Sequence, residues 1–380
     1  MPNAVAILNL LYDRGRLLIG AGGVAFAVLL VFINLGFLGS LSETAGLVYN
    51  QLDADVFLIS PLSTNGTSTD LFSRDRLYQA ASYEAVDRAM PLYVGYVAWR
   101  NLETNQQNLI LSYGFNPQDN PFLLPELRQP SIMESVLKRD SVLYDVRSLD
   151  KYGPAEVGMT AEANGRRVEI GGLFTLGGGL AADGTLLMSD QNLFRIMQPR
   201  TSETVDLGLL KLKPNADVDK TVAALRRELP TDVNVYSKAE IIERDRRHWL
   251  EKTAVGFIFS LGAGVALVVG AAIVYQILYA DVTKNFKEYA TLKAIGFRNQ
   301  FLMGVILHEA VLLAAIGFIP GLILSMGVYQ LILISSNGAI PMQMTLSQVL
   351  NVATMTTGMC IVSGIVAIRK VFMADPADVF

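Results

Sequence analysis

The stretch that decides the fold is Ala254–Ala280, AVGFIFSLGAGVALVVGAAIVYQILYA, which contains no charged side chain. A helix crosses a hydrocarbon core of about 30 Å with roughly 20 apolar residues, so this run is long enough to span a membrane. Three further apolar runs meet the same requirement, at about Leu17–Gly39, Phe301–Ile334 and Val349–Met373. The sequence therefore predicts a membrane protein with four transmembrane helices.

Composition agrees with this class. The 380 residues are 51% hydrophobic and 17% charged, with a mean hydropathy of +0.36, whereas soluble domains carry about 25% charged residues. The formal net charge of -4 excludes a generally basic nucleic-acid-binding protein, because phosphate contacts require an excess of Lys and Arg. We therefore expect no nucleic-acid partner.

The residues that most often bind metals are sparse and scattered. Cys360 is the single cysteine and lies inside an apolar run, so we interpret it as a packing residue. His248 and His308 are far apart and have no Cys or His at metal-ligand spacing. The sequence predicts no metal site.

The first span resembles a signal peptide only in the basic residues that precede it, Arg14 and Arg16. Its apolar run is longer than the usual hydrophobic region of a signal peptide, and no small-x-small cleavage pattern follows it. We expect it to remain as a membrane anchor.

Basic residues flanking the spans predict the orientation, because Lys and Arg in short loops are retained on the cytoplasmic side. They precede span one, fill the connection between spans two and three, and follow span four: Arg14, Arg16, Lys284, Lys287, Lys293, Arg298, Arg369 and Lys370. The connection 335–348 has no Lys or Arg. We expect both termini in the cytoplasm and the long segment after span one outside.

The spans and their flanks predict the whole organisation of the chain. In order, it has a cytoplasmic amphipathic N-terminal segment 1–16, span one 17–39, an outer α/β domain with a stalk 40–253, span two 254–280, a cytoplasmic coupling segment 281–300, span three 301–334, a short outer loop 335–348, span four 349–373 and a cytoplasmic tail 374–380.

Branched and aromatic residues predict strands in the outer segment, and apolar periodicity predicts helices. The expected strands are 55–59, 93–99, 108–113, 142–146, 167–173, 185–188 and 207–212; the expected helices are 77–90, 218–229 and 238–249. The last helix is strongly charged and runs toward span two. As a continuation of that span, it would form a stiff stalk.

No motif for bond chemistry is present. An ATP-hydrolysing chain should contain G-x-x-x-x-G-K-[ST], yet the sequence has no Gly-Lys dipeptide. The glycines at 171–172 and 177–179 do not match a dinucleotide fingerprint and are interpreted as a surface turn. We expect no catalytic residue, and no cofactor held by this chain.

The connection Asp281–Gln300 (DVTKNFKEYATLKAIGFRNQ) is the most informative polar segment. Apolar residues alternate with charged ones in a pattern typical of a short helix that lies on a partner, and Gly296 can end such a helix. A solvated amphipathic connector that rests on lipid headgroups fits the pattern equally well.

The run KEYATLKAIG from Lys287 to Gly296 resembles the cytoplasmic loop of FtsX-like and MacB-like ABC permeases, R/K-E-[FY]-A-x-[LM]-[KR]-A-[IL]-G. The resemblance implies that this run docks on an ATPase through Lys287, Glu288, Tyr289, Ala290, Thr291, Leu292, Lys293, Ala294, Ile295 and Gly296. Glu309 followed by Gly317 and Gly321, and the tail 375–378 (DPAD), are similar to further features of the family. The first span is similar to that of the DevC group, the permeases of DevBCA-type exporters.

The resemblance implies a MacB-like fold and a homodimer in the bacterial inner membrane. Two copies of a cytoplasmic ABC ATPase would bind ATP and Mg²⁺ and drive motion of the periplasmic domain. A DevC-like permease would export a glycolipid or another amphiphile with a periplasmic membrane-fusion adaptor and an outer-membrane channel. The alternative is an FtsX-like mechanotransmitter that regulates an extracytoplasmic hydrolase. A stand-alone channel or carrier would need more polar residues in the spans.

Two features of the spans carry further hypotheses. Glu309 is an ionisable residue within the membrane zone, and we interpret it as structural and hydrogen-bonded to neighbours, since a proton relay would need further acids. Gly262, Ala266 and Gly270 form a small-residue stripe on span two. That stripe indicates close helix packing, either within the chain or in a dimer.

Overall fold

The computed structural model describes residues 14–177, 179, 181–287, 291, 295, 297–336, 338 and 340–372, with the backbone alone for residues 14, 16 and 370–372. The chain divides into two compact units. The membrane unit comprises residues 1–39, 257–332 and 342–380, and the outer unit comprises residues 40–256 and 333–341. Part of the expected short loop 335–348 therefore belongs to the outer unit.

Among the described residues, four helices are long and apolar enough to cross a membrane, as the sequence predicts. They lie in α1 (Arg14–Asn50), α7 (Ala254–Lys284), α8 (Asn299–Ser335) and α9 (Leu346–Phe372). The main difference concerns α1, which continues eleven residues past the expected end at Gly39, because the segment 40–50 contains no Pro and only one Gly. Pro320 lies inside α8 without ending it.

The outer unit combines strands with short helices. The strands are β1 (Val56–Ile59), β2 (Phe72–Ser73), β3 (Val86–Arg100), β4 (Gln107–Phe115), β5 (Ser141–Asp145), β6 (Thr160–Ala163), β7 (Arg166–Phe174), β8 (Thr185–Ser189), β9 (Thr204–Val205), β10 (Leu207–Leu212) and β11 (Asn234–Ser237). The helices are α2 (Asp75–Ala81), α3 (Pro130–Leu137), α4 (Asp190–Ile196), α5 (Val218–Glu228) and α6 (Lys238–Arg247). All seven expected strands are confirmed, six of them within two residues at each end, whereas β3 begins seven residues before the expected strand 93–99.

The main sheet has the order β11-β1-β10-β3-β4-β8-β5-β7-β6, and β6 also pairs with β3. This extra pairing joins Trp99 to Ala163 and Arg100 to Glu162. It closes the strands β3, β4, β8, β5, β7 and β6 into a ring. Because β3 is long, its first half also pairs with β10 and links the ring to the open sheet β11-β1-β10.

Between its pairings with β10 and β6, one edge of β3 has no neighbouring strand among the described residues. Side chains bond to the backbone of β3 there. The Val94 amide donates to Asp206 Oδ2 at 2.8 Å, and the Val94 carbonyl accepts from Arg200 Nη1 at 2.8 Å. Arg200 and Asp206 also form an ion pair with side chains that are 10% and 3% exposed. The backbone polar groups of β3 are thereby satisfied without a neighbouring strand.

Both faces of the open sheet are buried. Val56 and Leu58 of β1 join a core with Leu77 of α2 and Leu225 of α5. Phe57 and Ile59 join a second core with α6 and the outer end of α1. Successive side chains of a strand point to opposite faces, so β1 is apolar throughout rather than alternating.

The expected helix 77–90 is wrong in its second half. Helix α2 ends at Ala81, and Val86–Met90 form the start of β3, where they pair with β10. Apolar periodicity over this segment fits a helix, but hydrogen bonding to Leu207–Leu212 overrides that local preference. The expected helix 218–229 is confirmed as α5.

The stalk expected at 238–249 is helical but does not continue into span two. Helix α6 begins with a capping box formed by Ser237 and Glu240, and a π-helical segment His248–Lys252 follows it. Thr253 is extended, with φ -97° and ψ 149°. It donates to the Trp249 carbonyl at 2.6 Å and accepts from the Gly256 amide at 3.1 Å, so it caps α7 and separates it from the π-helical segment.

The glycine clusters have two different environments. Gly171 and Gly172 lie within β7, where an added Cβ at Gly172 would lie 2.7 Å from Ile132 Cδ1 of α3. Their expected place in a surface turn is therefore wrong, because they allow α3 to approach the sheet. Gly177 and Gly179 have positive φ and lie in a loop. Gly178 lies outside the described residues.

Candidate functional site

Three residues of the expected coupling run are described: Lys287, Thr291 and Ile295. Thr291 Oγ1 donates to the Lys287 carbonyl at 2.8 Å, and the Ile295 amide donates to the Thr291 carbonyl at 3.0 Å. Both bonds have the i to i+4 spacing of an α-helix. Glu288, Tyr289, Ala290, Leu292, Lys293, Ala294 and Gly296 lie outside the described residues, as do segments 1–13 and 373–380.

Two described apolar side chains in and beside this run are exposed to different extents. Ile295 is 71% exposed and Phe297 is 43% exposed. A large exposed apolar side chain in a polar connection is available for contact with a partner or with lipid. The geometry is compatible with both hypotheses drawn from the pattern.

The connection is anchored to three membrane helices. Phe297 packs on Phe301 of α8 with ring centroids 4.9 Å apart. Phe301 in turn packs on a buried cluster formed by Val282 of α7, Leu302 and Ile306 of α8, and Ile368 of α9. The connection is therefore packed, through Phe301, onto side chains of α7, α8 and α9.

The small-residue stripe on α7 packs within the chain. An added Cβ at Gly270 would lie 2.7 Å from both Ala27 Cβ of α1 and Met359 Sδ of α9, and one at Gly262 would collide with Asn34 Oδ1 of α1. Ala266 is 2% exposed. Of the two hypotheses that the sequence left open, intrachain packing accounts for all three residues.

Helix α1 also packs closely on α8. An added Cβ at Gly317 would lie 2.5 Å from Val24 Cβ, and one at Gly321 would lie 2.8 Å from Val28 Cβ. Further along, Tyr329 Oη donates to the carbonyl of Phe32 at 2.6 Å. Small residues that let backbones approach closely are a general means of helix association in membranes.

Glu309 in α8 is 2% exposed, and it has a hydrogen-bonding or electrostatic partner. Two other buried polar side chains of the described membrane helices bond to helix carbonyls. Ser325 Oγ donates to the Gly321 carbonyl at 2.7 Å, and Ser363 Oγ donates to the Ala271 carbonyl at 2.8 Å. These contacts favour a structural role for polar groups in this region.

In the outer unit, the end of α1 and helix α6 meet at a buried carboxylate. Asp245 is 3% exposed, and its Oδ2 accepts from Tyr49 Oη at 2.8 Å and from the Gly66 amide at 2.7 Å. Its Oδ1 accepts from Arg244 Nη1 at 3.1 Å. Burial raises the pKa of the Asp245 carboxyl, although the bonds from Gly66 and Tyr49 act in the opposite direction.

Two more contacts join the same segments. Lys238 Nζ at the start of α6 donates to the Leu52 carbonyl, just beyond α1, at 2.8 Å. An added Cβ at Gly46 of α1 would lie 3.5 Å from Ile242 Cγ2 of α6. The outer end of α1 is thus attached to α6 at its start, middle and end.

A cleft of about 930 Å³ lies beside this junction. The loop 61–64, α6 and the π-helical segment form its walls. Leu62 is 77% exposed at one side of it. Glu243 and Arg247 of its lining form an ion pair, and Glu243 also pairs with Arg246.

Sequence reasoning missed the junction at Asp245. Tyr49 and Asp245 are 196 positions apart, and each lies in an ordinary helical context. The available signal was the continuation of α1 past Gly39, which places Tyr49 on a helix that leaves the membrane span. Among the described residues, no cluster of three or more His, Cys, Asp or Glu side chains could hold a metal ion.

Comparison with known proteins gives one match in sequence. Residues 260–376 match the family described as FtsX-like permease C-terminal. This range includes most of α7, the connection after it, α8 and α9. No curated protein matches the sequence of the chain.

Several solved structures show a limited likeness. The periplasmic region of MacB from Actinobacillus actinomycetemcomitans is 11% identical, covers 50% of this chain and 92% of its own, and has a TM-score of 0.35. The extracellular domain of the ABC-type transporter YknZ from Gram-positive bacteria is 12% identical, with coverages of 48% and 99% and a TM-score of 0.34. A permease domain from Porphyromonas gingivalis is 12% identical, with coverages of 48% and 86% and a TM-score of 0.30.

Proposed function

Because residues 260–376 match the FtsX-like permease C-terminal family, we propose that this multi-pass membrane protein is the permease subunit of an ATP-driven ABC system. A separate cytoplasmic ATPase supplies the energy, and the chain converts it into motion of the outer domain. The observation that carries the proposal is the exposed apolar Ile295 in a connection that is packed onto three membrane helices.

On this proposal, the ATPase binds at the exposed Ile295 side chain. The buried cluster under Phe301 then transmits the displacement to the membrane helices. An apolar anchor in a docked interface is typical of contacts that carry much of the binding energy. Tight packing between α7, α8 and α9 transmits a displacement because packed cores resist compression. On this proposal, the run 287–296 within the coupling segment 281–300 docks on the ATPase, and the chain itself carries out no bond chemistry.

The finer form of the proposal is export of a glycolipid-like or amphiphilic cargo by a homodimer in the bacterial inner membrane, with both termini in the cytoplasm. A periplasmic adaptor and an outer-membrane channel complete the system. Its support is the resemblance of the first span to DevC-type permeases and the basic residues that flank the spans. A mechanical regulator of an extracytoplasmic hydrolase would use the same transmission path.

The test is affinity purification of the intact chain from its own membranes, with mass spectrometry of the captured proteins. Ile295→Asp should abolish capture of an ABC ATPase, because the change places a charge on the docking surface. Leu137→Asp is the matched control, since Leu137 is 64% exposed in the outer unit and should leave capture unchanged. Leu292→Asp extends the test to the rest of the coupling segment.

The proteins captured with the ATPase separate the two finer functions. An adaptor and an outer-membrane channel support export, whereas a cell-wall hydrolase supports regulation. Absence of any ATPase from a folded chain would contradict the whole proposal.

A further inference from the structure

Two segments connect residues 40–256 of the outer unit to membrane helices α1 and α7, and they differ in continuity. Helix α1 runs from Arg14 to Asn50 as a single helix. On the other side, α6 is followed by the π-helical segment and by the extended residue Thr253 before α7 begins. A helix without a break transmits displacement along its axis, whereas an extended residue between two helices permits them to rotate.

Gly256 of α7 lies very close to the backbone of the π-helical segment. A Cβ at Gly256 would collide with the backbone carbonyls of Trp249 and Leu250. Backbone atoms cannot move aside as a side chain can, so the tight turn around Thr253 requires glycine at this position. The turn separates α6 from α7, and α6 therefore needs another attachment if it is to follow the membrane helices.

Among the contacts that attach α6 to the end of α1, the contact of Tyr49 with Asp245 is a buried hydrogen bond between side chains. Tyr49 is 1% exposed and Asp245 is 3% exposed, so water does not compete for their hydrogen bond. The same carboxylate oxygen holds the Gly66 amide, and a Cβ at Gly66 would collide with Tyr49 Oη. One buried carboxylate thus joins α1, α6 and the loop that contains Gly66.

We propose that Tyr49 and Asp245 form a clasp through which α1 moves α6 and the loop 60–66 when the ATPase works. The inference rests on the proposed function and deepens it. It assigns these two side chains as positioning residues for mechanical coupling, and it assigns the turn at Thr253 as the compliant point. Motion therefore enters the outer domain through α1 rather than through α7.

The test uses the full chain with its captured ATPase in lipid nanodiscs. Hydrogen-exchange mass spectrometry compares the nucleotide-free state with the state trapped by ATP and vanadate. In the unaltered chain, trapping should change exchange in peptides from the loop 60–66 and from α6. Tyr49→Phe removes one buried hydrogen bond and should reduce the nucleotide-dependent change in hydrogen exchange about tenfold. The ATPase rate should stay unchanged.

The control is Tyr78→Phe, because Tyr78 is a 62% exposed tyrosine of the same unit and should keep the full response. A rescue variant separates coupling from folding. Gly46→Cys with Ile242→Cys should form a disulfide across the junction, since the Cβ of the first lies near Cγ2 of the second. Oxidation of this pair in the Tyr49→Phe chain should restore the nucleotide response.

The outcomes are distinguishable. If the unaltered chain binds no ATPase or shows no nucleotide response, the proposed function fails and the clasp fails with it. If the unaltered chain responds and Tyr49→Phe responds equally, the proposed function stands and the clasp is refuted. A Tyr49→Phe chain whose lost response is not restored by the disulfide would also refute the clasp.

Discussion

Replacing Gly270 by Ala should destabilise the membrane unit by about 1–3 kcal/mol, the usual cost of an extra methyl group in a packed core. The new Cβ would lie 2.7 Å from Ala27 Cβ and 2.7 Å from Met359 Sδ, whereas carbon atoms in contact prefer about 3.5–4.0 Å. The thioether of Met359 can rotate away. Ala27 has no rotatable side chain, so α1 and α7 must separate by about 1 Å at this point.

Gly264 provides the matched control on the same helix. An added Cβ at Gly264 meets nothing within 4 Å, so Gly264→Ala adds a methyl group without a clash. Alanine is also the better helix former by about 1 kcal/mol. The control should therefore be neutral or stabilising, and the two substitutions should differ in sign.

The chain carries its own probe for this measurement. Cys360 is its single cysteine and is 0% exposed in the described structure, so a fluorogenic thiol reagent should react only after α9 opens. Heating the purified chain in detergent with this reagent gives an unfolding midpoint. At about 2–4 °C per kcal/mol, Gly270→Ala should lower the midpoint by about 2–12 °C.

Two results would refute this reasoning. Equal effects of Gly264→Ala and Gly270→Ala would show that the distances do not set the stability of the helix packing. An unchanged midpoint for Gly270→Ala, accompanied by loss of a dimer in size-exclusion chromatography, would assign the stripe to a contact between two chains.

Three more predictions concern the outer unit. Thr253→Val should cost about 0.5–2 kcal/mol in thermal unfolding because the cap of α7 is lost, and an equal loss for the hydroxyl-retaining Thr253→Ser would contradict this reason. Asp206→Asn should cost about 3–5 kcal/mol in urea unfolding because Arg200 keeps a buried charge without its partner; a loss below 1 kcal/mol would show that the pair is hydrated. Burial raises the pKa of Asp245, so its contribution is fully present below pH 3.8 and falls as the pH rises through the folded-state pKa. The unfolding midpoint of the unaltered chain minus that of Asp245→Asn should therefore fall over this window, and a rise would contradict the buried environment.

The membrane helices could be predicted from sequence because lipid leaves few structural choices. A backbone in hydrocarbon must satisfy its own hydrogen bonds, so long apolar runs form helices. Their ends are harder to predict, since hydropathy does not detect a helix that continues into water. Helix α1 shows this limit, because the polar residues after Gly39 keep a helical conformation as far as Asn50.

The outer unit was predictable in its buried strands and less so elsewhere. Runs such as Val56–Ile59 and Leu207–Leu212 are apolar enough to indicate strands by themselves. The short strand Thr160–Ala163 has an alternating pattern of only four residues and gives no clear local signal. The segment Val86–Met90 has a helical period, and only its pairing with β10 decides its conformation.

The candidate sites also differ in how far the sequence alone could identify them. Spacing alone identified Gly262, Ala266 and Gly270 as a packing stripe, but the choice between an intrachain and a dimer contact required the positions of α1 and α9. The coupling segment was inferred from its own motif, and its docking on an ATPase stays a prediction. The contact of Tyr49 with Asp245 could not be found in this way, because neither residue type nor spacing signals a bond between positions so far apart.

The structure also constrains how force can be used outside the membrane. If both connections to the outer domain were continuous helices, they would have similar stiffness, and any difference in their motion would have to bend a helix. The extended conformation at Thr253 removes this requirement on one side, because rotation about one residue costs far less than bending several helical turns. On the proposed function, the continuous α1 and the interrupted connection before α7 therefore differ in how they pass motion to residues 40–256. The side chains that decide which helix these residues follow are therefore those that join α6 to α1.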